Sequence, residues 1–361
     1  MRTKRDYSLL GREGQAAVEK GLGAAQWRRT DVPRKHLKEL MQRRDGPAIR
    51  DTAVWLSALA VSGGLGYALW GSSWALPCFL VYGILYGSAS DSRWHECGHG
   101  TAFKTRWMND AVYQIACFMI FREPTVWRWS HARHHTDTIV VGRDPEIVAT
   151  RPPDLFAIAV NFFAFKNVSQ AIDKLLRHAT GRLTSEEKTF IPAMEWGKVY
   201  TVARIWLAIH ASAICLSIYL GSWLPVIYIG ILPTMYGAWF GHFVGLTQHA
   251  GLAEDVVDHR LNSRTVYMNS VFRFLYWNMN YHIEHHMFPM VPYHALPKLH
   301  EAIRFDCPPA YAGCWEAYKE IIPALLRQSR DPDWYVARKI PPAADSHRPS
   351  ARADTLTAPA E

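Results

Sequence analysis

The chain has 361 residues with a formal net charge of +8, and its 15 Trp and 16 Tyr fit a protein that meets a membrane surface. Residues 1–50 contain 13 Lys and Arg against 6 Asp and Glu, so they carry most of this charge. Such a segment could bind nucleic acid, but an apolar run follows it directly, and membrane topology alone explains a basic segment there. We therefore expect no nucleic-acid partner.

Two long stretches, residues 52–90 and 205–253, contain no Asp, Glu, Lys or Arg. About 20 apolar helical residues cross a bilayer, so each stretch is long enough for a pair of spans. The sequence predicts an all-α integral membrane protein with four transmembrane helices in two hairpins, at about 52–70, 74–90, 205–220 and 224–246. Because basic segments stay on the cytoplasmic side, the N-terminus and the connections between hairpins are expected there.

The remaining segments are expected on the cytoplasmic side or at the interface. Residues 1–50 form a basic cytoplasmic arm without a signal-peptide core, residues 51–305 the membrane domain, 306–340 a C-terminal helical segment and 341–361 a disordered tail. Residues 151–200 are expected to form a helical cytoplasmic cap that helps to carry the histidine clusters. The six cysteines show no paired spacing and are expected to be reduced.

Histidines at ligand spacing occur in three clusters: His95 and His99; His131, His134 and His135; His282, His285 and His286. In a helix, positions i, i+3 and i+4 share one face, so each HxxHH cluster presents three imidazoles together. Eight imidazoles exceed the four ligands of a tetrahedral site, which predicts two metal ions. His249, at the end of the fourth predicted span, is the favoured ninth ligand over His242. His210, deep in the third span, is expected to be a core residue.

Carboxylates near the clusters are candidates for catalysis or for orienting a histidine ring. Glu96 and Asp137 are the candidate catalytic residues, and Asp91, Arg143 and Asp144 are candidates for contacts behind the ligands. The segment from His95 to His99 also matches HExxH, the pattern of zinc metalloproteases with Glu96 as base. A membrane zinc protease and a non-catalytic metal-handling protein therefore remain alternatives.

The order HxxxH, HxxHH, HxxHH, together with the two apolar hairpins, resembles the membrane-bound fatty acid desaturase and hydroxylase superfamily over roughly residues 50–305. The resemblance implies a non-haem di-iron centre held by the eight clustered histidines, with His249 as an additional ligand. It further implies O₂ as co-substrate and an oxidoreductase that desaturates or hydroxylates an unactivated C–H position of a fatty-acyl or alkyl substrate.

The first cluster departs from the HxxxxH of acyl-CoA desaturases, which weakens the inference of a stearoyl-type substrate. No HPGG motif of a fused cytochrome b5 is present, so a separate ferredoxin, Rieske protein or cytochrome with its reductase is the expected electron donor. Residues 127–146 and 280–292 also resemble a bacterial branch that includes rhizopine-catabolism oxygenases and dihydrorhizobitoxine desaturase. That branch implies an inner-membrane location and, as an alternative substrate, a small amino-acid-derived or rhizopine-like metabolite.

Overall fold

The computed structural model of the chain describes residues 5–342, and these form an all-helical fold. Only two isolated bridges, Thr265 with Tyr281 and Val266 with Tyr311, involve extended backbone in this part of the chain. The all-α prediction is confirmed. The predicted tail at 341–361 lies almost wholly outside the described residues.

The helices fall into three groups along the chain. The first group is α1 (Arg12–Glu19), α2 (Arg34–Leu40), α3 (Asp45–Ala68), α4 (Ala75–Gly83) and α5 (Ser90–Gly98). The second is α6 (Arg106–Met119), α7 (Pro124–Thr136), α8 (Leu155–Val160), α9 (Phe165–Ala179), α10 (Trp196–Leu220), α11 (Leu224–Tyr228) and α12 (Ile231–His249). The third is α13 (His259–Asn262), α14 (Ser270–Leu275), α15 (His282–Met287), α16 (Leu296–Ile303) and α17 (Cys314–Gln328).

Two helical segments are long and apolar enough to cross a membrane, Ala193–Leu220 and Leu224–His249. A third qualifies only if α8 with its 3₁₀ extension and α9, which meet at 78°, count as one broken span. The four predicted spans are therefore not established. Helix α3 and the helical stretch at 75–98 are not apolar enough to qualify as spans. Gly, Ser and Tyr interrupt their interiors, and charged residues lie near one end of each.

Between α4 and α5 the chain forms a π-helix, Ile84–Ala89. The end of α4 and this π-helix cross α12 at glycine positions. A Cβ atom on Gly237 would lie 1.8 Å from the carbonyl oxygen of Gly83, the last residue of α4. The hydroxyl of Ser88 accepts the backbone N–H of Gly241 at 2.7 Å. This crossing places α5, which directly follows the π-helix, and the end of α12 near the same region of the molecule.

The basic arm packs on the protein itself. The guanidinium of Arg28 donates two hydrogen bonds to Asp306, at 2.7 and 3.0 Å, and Arg260 reaches the same carboxylate at 2.7 Å. Nearer the N-terminus, Tyr7 donates to Glu254 at 2.7 Å. The arm therefore forms part of the surface around the region where the histidine clusters meet.

All six cysteines are free, as expected.

Candidate metal centre

The three histidine clusters lie at the ends of helices that converge. His95 lies in the last turn of α5 and His99 at its C-terminal cap, while the second cluster occupies the last two turns of α7. Helix α7 begins sharply because Pro124 is its first residue and the side chain of Glu123 accepts the N–H of Val126 at 2.6 Å. The third cluster forms α15. Both HxxHH clusters are helical, which is the condition under which their three rings share one face.

The nine predicted ligands form two adjoining groups. The first group brings ligand atoms from all three clusters within 4.8 Å of one another: His95, His99, His131, His135 and His285. The second brings together His134, His249 and His286 at the same spacing, with His282 Nε2 2.9 Å from His249 Nε2 and 3.0 Å from His286 Nε2. Each HxxHH cluster therefore contributes to both groups.

The ring nitrogens face one another at the spacing of ligands around a metal. In the first group, His131 Nε2 lies 3.1 Å from Nε2 of both His99 and His135, and His285 Nε2 lies 3.1 Å from His135 Nε2. Two nitrogens each about 2.1 Å from a common ion and at right angles would be about 3.0 Å apart. The arrangement therefore fits imidazoles around a cation.

Contacts behind the rings determine where the protons are. His134 Nδ1 donates to Asp144 Oδ2 at 2.8 Å, His131 Nδ1 to Glu146 Oε2 at 2.9 Å, and His249 Nδ1 to the carbonyl oxygen of Asn262 at 2.7 Å. These acceptors fix the proton on Nδ1 and leave a lone pair on each Nε2. Facing lone pairs repel one another, and a bound metal cation removes that repulsion. The residues present therefore fit a metal pair.

Burial keeps most of these imidazoles neutral. It lowers the pKa of His95 and of His99 to about 3, and it lowers the pKa of His285 well below the ordinary value, with neighbouring histidines adding to the effect. His134 differs: burial lowers its pKa, but the charge and hydrogen bond of Asp144 outweigh burial and raise it to about 8. Neutral imidazole is the form that binds a metal, so a cation bound at His134 would displace the proton from its Nε2.

Comparison with known proteins identifies the family. The family model described as fatty acid desaturase matches residues 71–318, more than half of the chain. This chain belongs to the fatty acid desaturase family. Membership in this family indicates an oxidoreductase. The buried histidine groups could hold metal ions, and the long apolar helices agree with a membrane protein.

Three similar plant proteins are named as two desaturases and one conjugase. The chain is 31% identical over 93 residues to a Delta(12)-acyl-lipid-desaturase from Punica granatum, which covers 26% of this chain and 22% of the relative. It is 22% identical over 301 residues to a Delta(12)-fatty-acid desaturase from Vernicia fordii, which covers 72% of this chain and 74% of the relative. It is 30% identical over 118 residues to a Delta(12) acyl-lipid conjugase (11E,13E-forming) from Impatiens balsamina, which covers 33% of this chain and 26% of the relative. The chain therefore spans about a fifth of the first of these relatives.

The two carboxylates predicted to be catalytic lie in different surroundings in this structure. Glu96 is fully buried, with Oε1 3.3 Å from His95 Nδ1 and 3.8 Å from His285 Nδ1, and burial raises its pKa to about 7. Asp137 instead pairs with Arg143 at 2.9 Å and with Arg133 at 3.5 Å. Glu96 lies behind two rings of the first group, whereas Asp137 contacts arginines. A catalytic role for either residue stays a prediction.

Three other candidates named from the sequence lie away from the two histidine groups. His242 Nε2 contacts the carbonyl oxygen of Ile158 at 2.9 Å, so this ring packs against α8. His210 Nδ1 contacts the carbonyl oxygen of Trp206 at 2.6 Å, within its own helix. Asp91 pairs with Arg122 at 2.7 Å. The structure places His249, and not His242, beside the clustered histidines, and a ligand role for His249 stays a prediction.

Three groups beside the histidines were missed or undervalued from the sequence. Glu146 holds His131 and also accepts from Ser130 at 2.8 Å, while burial raises its pKa to about 7. Glu284, inside the third cluster, accepts from His300 Nδ1 at 2.5 Å and from Thr265 at 2.6 Å. His259, assigned no role from the sequence, has its ring centroid 5.0 Å from that of His286. An acidic residue inside or shortly after an HxxHH cluster is the signal that could have identified the first two.

Proposed function

We propose that the protein is an O₂-dependent, non-haem di-iron membrane oxidoreductase that desaturates or hydroxylates an unactivated C–H position of a fatty-acyl substrate. The observation that carries this proposal is the convergence of nine histidines, from three sequence clusters and the end of α12, into two adjoining groups. Imidazole is a common ligand of iron, and two groups sharing neighbouring residues of the same helices suit a metal pair.

The two groups would each hold one iron. The first ion would be held by His95, His99, His131, His135 and His285, and the second by His134, His249, His282 and His286. When bound, the iron pair supplies the O₂ activation needed to remove hydrogen from an unactivated C–H bond. The set contains no carboxylate oxygen, so it leaves more positive charge on the metals than a carboxylate-bridged set would.

The chain's own residues orient the ligands and exclude water. Asp144 and Glu146, both on the loop after α7, fix two rings of that helix in one tautomer. Glu96 lies between rings from the first and third clusters. His131, His134 and His285 are each exposed by 6% or less, so bulk water is excluded from much of the site.

An acyl lipid is the proposed substrate class. The relatives named above carry acyl-lipid or fatty-acid substrates in their names, and apolar side chains are exposed along the helices that precede and surround the site. Those exposed side chains on α3, α4 and α10 include Val54, Val61, Leu65, Leu76, Leu80, Ile205, Ile214, Leu216 and Ile218. Lipid chains would cover such a surface. The alternative substrate from the bacterial branch, a small amino-acid-derived metabolite, has no such observation in its favour.

The exposed apolar surface also supports the four-span topology, with the metal centre on the cytoplasmic side. A cysteine-free background carrying Lys35→Cys, Ser72→Cys or Ser222→Cys tests this with an impermeant maleimide. Lys35→Cys is expected to react from the cytoplasmic side, and the two turn variants from the opposite side. Reaction of Ser72→Cys from the cytoplasmic side would mean that the first hairpin does not cross the membrane.

Iron content and Mössbauer spectra of protein expressed with enriched iron test the metal centre. About two irons per chain in a nitrogen-ligated site are expected, with loss of iron and of product in His134→Ala and His285→Ala. His36→Ala, an exposed histidine on α2, is the matched control and should keep both. One zinc and no iron would contradict the proposal and favour a hydrolase based on His95, Glu96 and His99.

The electron donor is proposed to be a separate protein. Each desaturation consumes two electrons beyond those taken from the substrate, and within the described residues no haem-binding or iron–sulfur cysteine pattern occurs. A ferredoxin, Rieske protein or cytochrome with its reductase would supply them. Reconstitution of turnover with purified ferredoxin and ferredoxin reductase tests this requirement, and turnover with the reductase alone would contradict it.

A further inference from the structure

The basic arm places one aromatic side chain against His259, a histidine beside the second group. The indole ring of Trp27 stacks on the imidazole of His259, with centroids 4.2 Å apart and planes 4° apart. The indole N–H donates to the carbonyl oxygen of Thr136 at 2.9 Å, one residue after His135. A single half-buried tryptophan therefore contacts both the end of α7 and the start of α13.

His259 connects this tryptophan to the metal centre. Its ring is 2% exposed, and its centroid lies 5.0 Å from that of His286, a member of the second group. Its Nδ1 atom is buried with no hydrogen-bond partner among the described residues. The ring is outside both ligand groups, so it is not a proposed ligand of either metal ion. Its position between Trp27 and His286 therefore calls for a role other than metal binding.

The surface around Trp27 combines an open depression with an exposed cation. Residues 25–29 line an open depression. Arg29 is exposed and forms no ion pair within residues 5–342, whereas Arg28 is held by Asp306. Asp306 also binds Arg260, the residue after His259. One carboxylate therefore holds both the segment that contains Trp27 and the segment that contains His259. An exposed positive charge beside a supported indole suits an acidic protein surface.

A second aromatic path leads to the first group from a different direction. Trp127 lies 5.7 Å from Trp94, and Trp94 lies 5.2 Å from His131, measured between ring centroids. Trp127 lines a cavity with Trp206, a residue of the membrane-spanning helix α10. This path therefore begins beside the membrane helices, where a soluble protein has less access than at the arm. Trp127 provides a matched control for Trp27.

We propose that Trp27 and its surroundings form the docking and electron-entry site for an acidic one-electron carrier protein of the ferredoxin type. This inference rests on the proposed di-iron function. In each transfer the carrier's iron–sulfur cluster is oxidised by one electron and the metal pair is reduced by one. No bond forms or breaks, and Trp27 and His259 end the transfer unchanged. Arg29 attracts the carrier, and the Trp27–His259 stack shortens the path to His286.

The experiment uses the full-length protein in nanodiscs of zwitterionic lipid and compares reduction of its iron by two reductants. Stopped-flow absorbance follows reduction by an acidic plant-type ferredoxin and by dithionite, a small ion that needs no docking site. Trp27→Leu is expected to lose most of its reduction rate at saturating ferredoxin while keeping the dithionite rate and the iron content. Trp127→Leu should keep the ferredoxin rate. Arg29→Glu should slow ferredoxin association by about tenfold at low salt.

Each contrary result overturns the inference in an identifiable way. Unchanged ferredoxin reduction in Trp27→Leu would exclude this path, and equal slowing with both reductants or loss of iron would show a structural role. An effect of Arg29→Glu that appears only when anionic lipid is added to the nanodisc would make the surface a lipid contact. Wild-type protein that binds no iron would instead contradict the proposed function itself.

Discussion

The imidazole of His134 and the carboxylate of Asp144 form a hydrogen bond of 2.8 Å between Nδ1 and Oδ2, ten residues apart in the chain. The same oxygen accepts the backbone N–H of Ile139 at 2.8 Å, and Oδ1 accepts that of Glu146. One buried carboxylate therefore fixes both the ring of a proposed ligand and the loop after α7. Such contacts behind a ligand commonly contribute substantially to metal affinity.

Replacing Asp144 should weaken the second metal site. We expect Asp144→Ala to lower iron affinity by about 10–100-fold, because His134 loses the acceptor that fixes its tautomer. Iron titration with Mössbauer detection of each site measures the effect. Asp137→Ala is the matched control, since Asp137 is equally buried but pairs with Arg143. Equal iron loss in both variants would indicate a general effect of the loop and contradict a specific role for Asp144.

Glu96 should act by positioning rings and not as a general base. Its Oε2 accepts the backbone N–H of Tyr293 at 3.1 Å, while Oε1 faces His95 and His285. We expect Glu96→Ala to lose iron from the first group, and Glu96→Gln, which keeps an acceptor oxygen, to retain most of the iron and the turnover. The measurement is iron content beside product formation. Full iron content without any turnover in Glu96→Gln would contradict positioning and restore a catalytic role.

Local spacing made the histidine groups predictable, whereas the residues behind them depend on tertiary structure. The HxxHH pattern sets three rings on one helical face whatever surrounds the helix, so the ligand candidates could be named from the sequence. The acceptors Asp144 and Glu146 depend on a loop that turns through positive φ at Ile139 and Gly142. No periodic pattern encodes such a turn, which is why Asp144 was only a general candidate and the role of Glu146 was missed.

The membrane helices and the arm also have features that depend on tertiary structure and could not be predicted from local sequence. Runs without charge indicated apolar helices correctly, but helix ends depend on capping and packing: α3 begins at Asp45 and α10 at Trp196, both earlier than the predicted spans. The π-helix at Ile84–Ala89, which meets α12 at Gly87, was not predicted. Likewise, charge alone indicated a cytoplasmic arm, whereas the stacking of Trp27 on His259 joins residues that are distant in sequence.

The crossing between the π-helix and α12 should tolerate no side chain at Gly237. A Cβ atom there would lie 1.8 Å from the carbonyl oxygen of Gly83, which is backbone and cannot rotate away. We expect Gly237→Ala to destabilise the protein by about 3 kcal/mol or more. Gly245→Ala, on the same helix, should be neutral or stabilising because an added Cβ atom would meet no neighbouring atom within 4 Å. Thermal unfolding in detergent compares them, and equal midpoints would argue against this tight crossing.

The buried carboxylate of Glu187, which contacts His178, should make stability depend on acidic pH. Burial raises the pKa of Glu187, but the hydrogen bond from His178 at 3.1 Å and the charge of Lys174 outweigh it and lower the pKa to about 2. A carboxylate whose folded pKa lies below its ordinary value of 4.5 stabilises the protein above that value. The contribution, at most about 3 kcal/mol, is lost as the pH falls from 4.5 towards 2.

The variant Glu187→Gln tests this dependence by thermal unfolding in detergent between about pH 3 and pH 7. It should unfold at a lower temperature than the wild type at neutral pH, and the difference should shrink towards the acidic end of the range. Asp173→Asn is the control, because Asp173 forms an exposed pair with Arg177 at 3.0 Å, and exposed pairs contribute little. A constant difference between Glu187→Gln and the wild type across this range would mean that Glu187 stabilises the fold through contacts that do not need its charge.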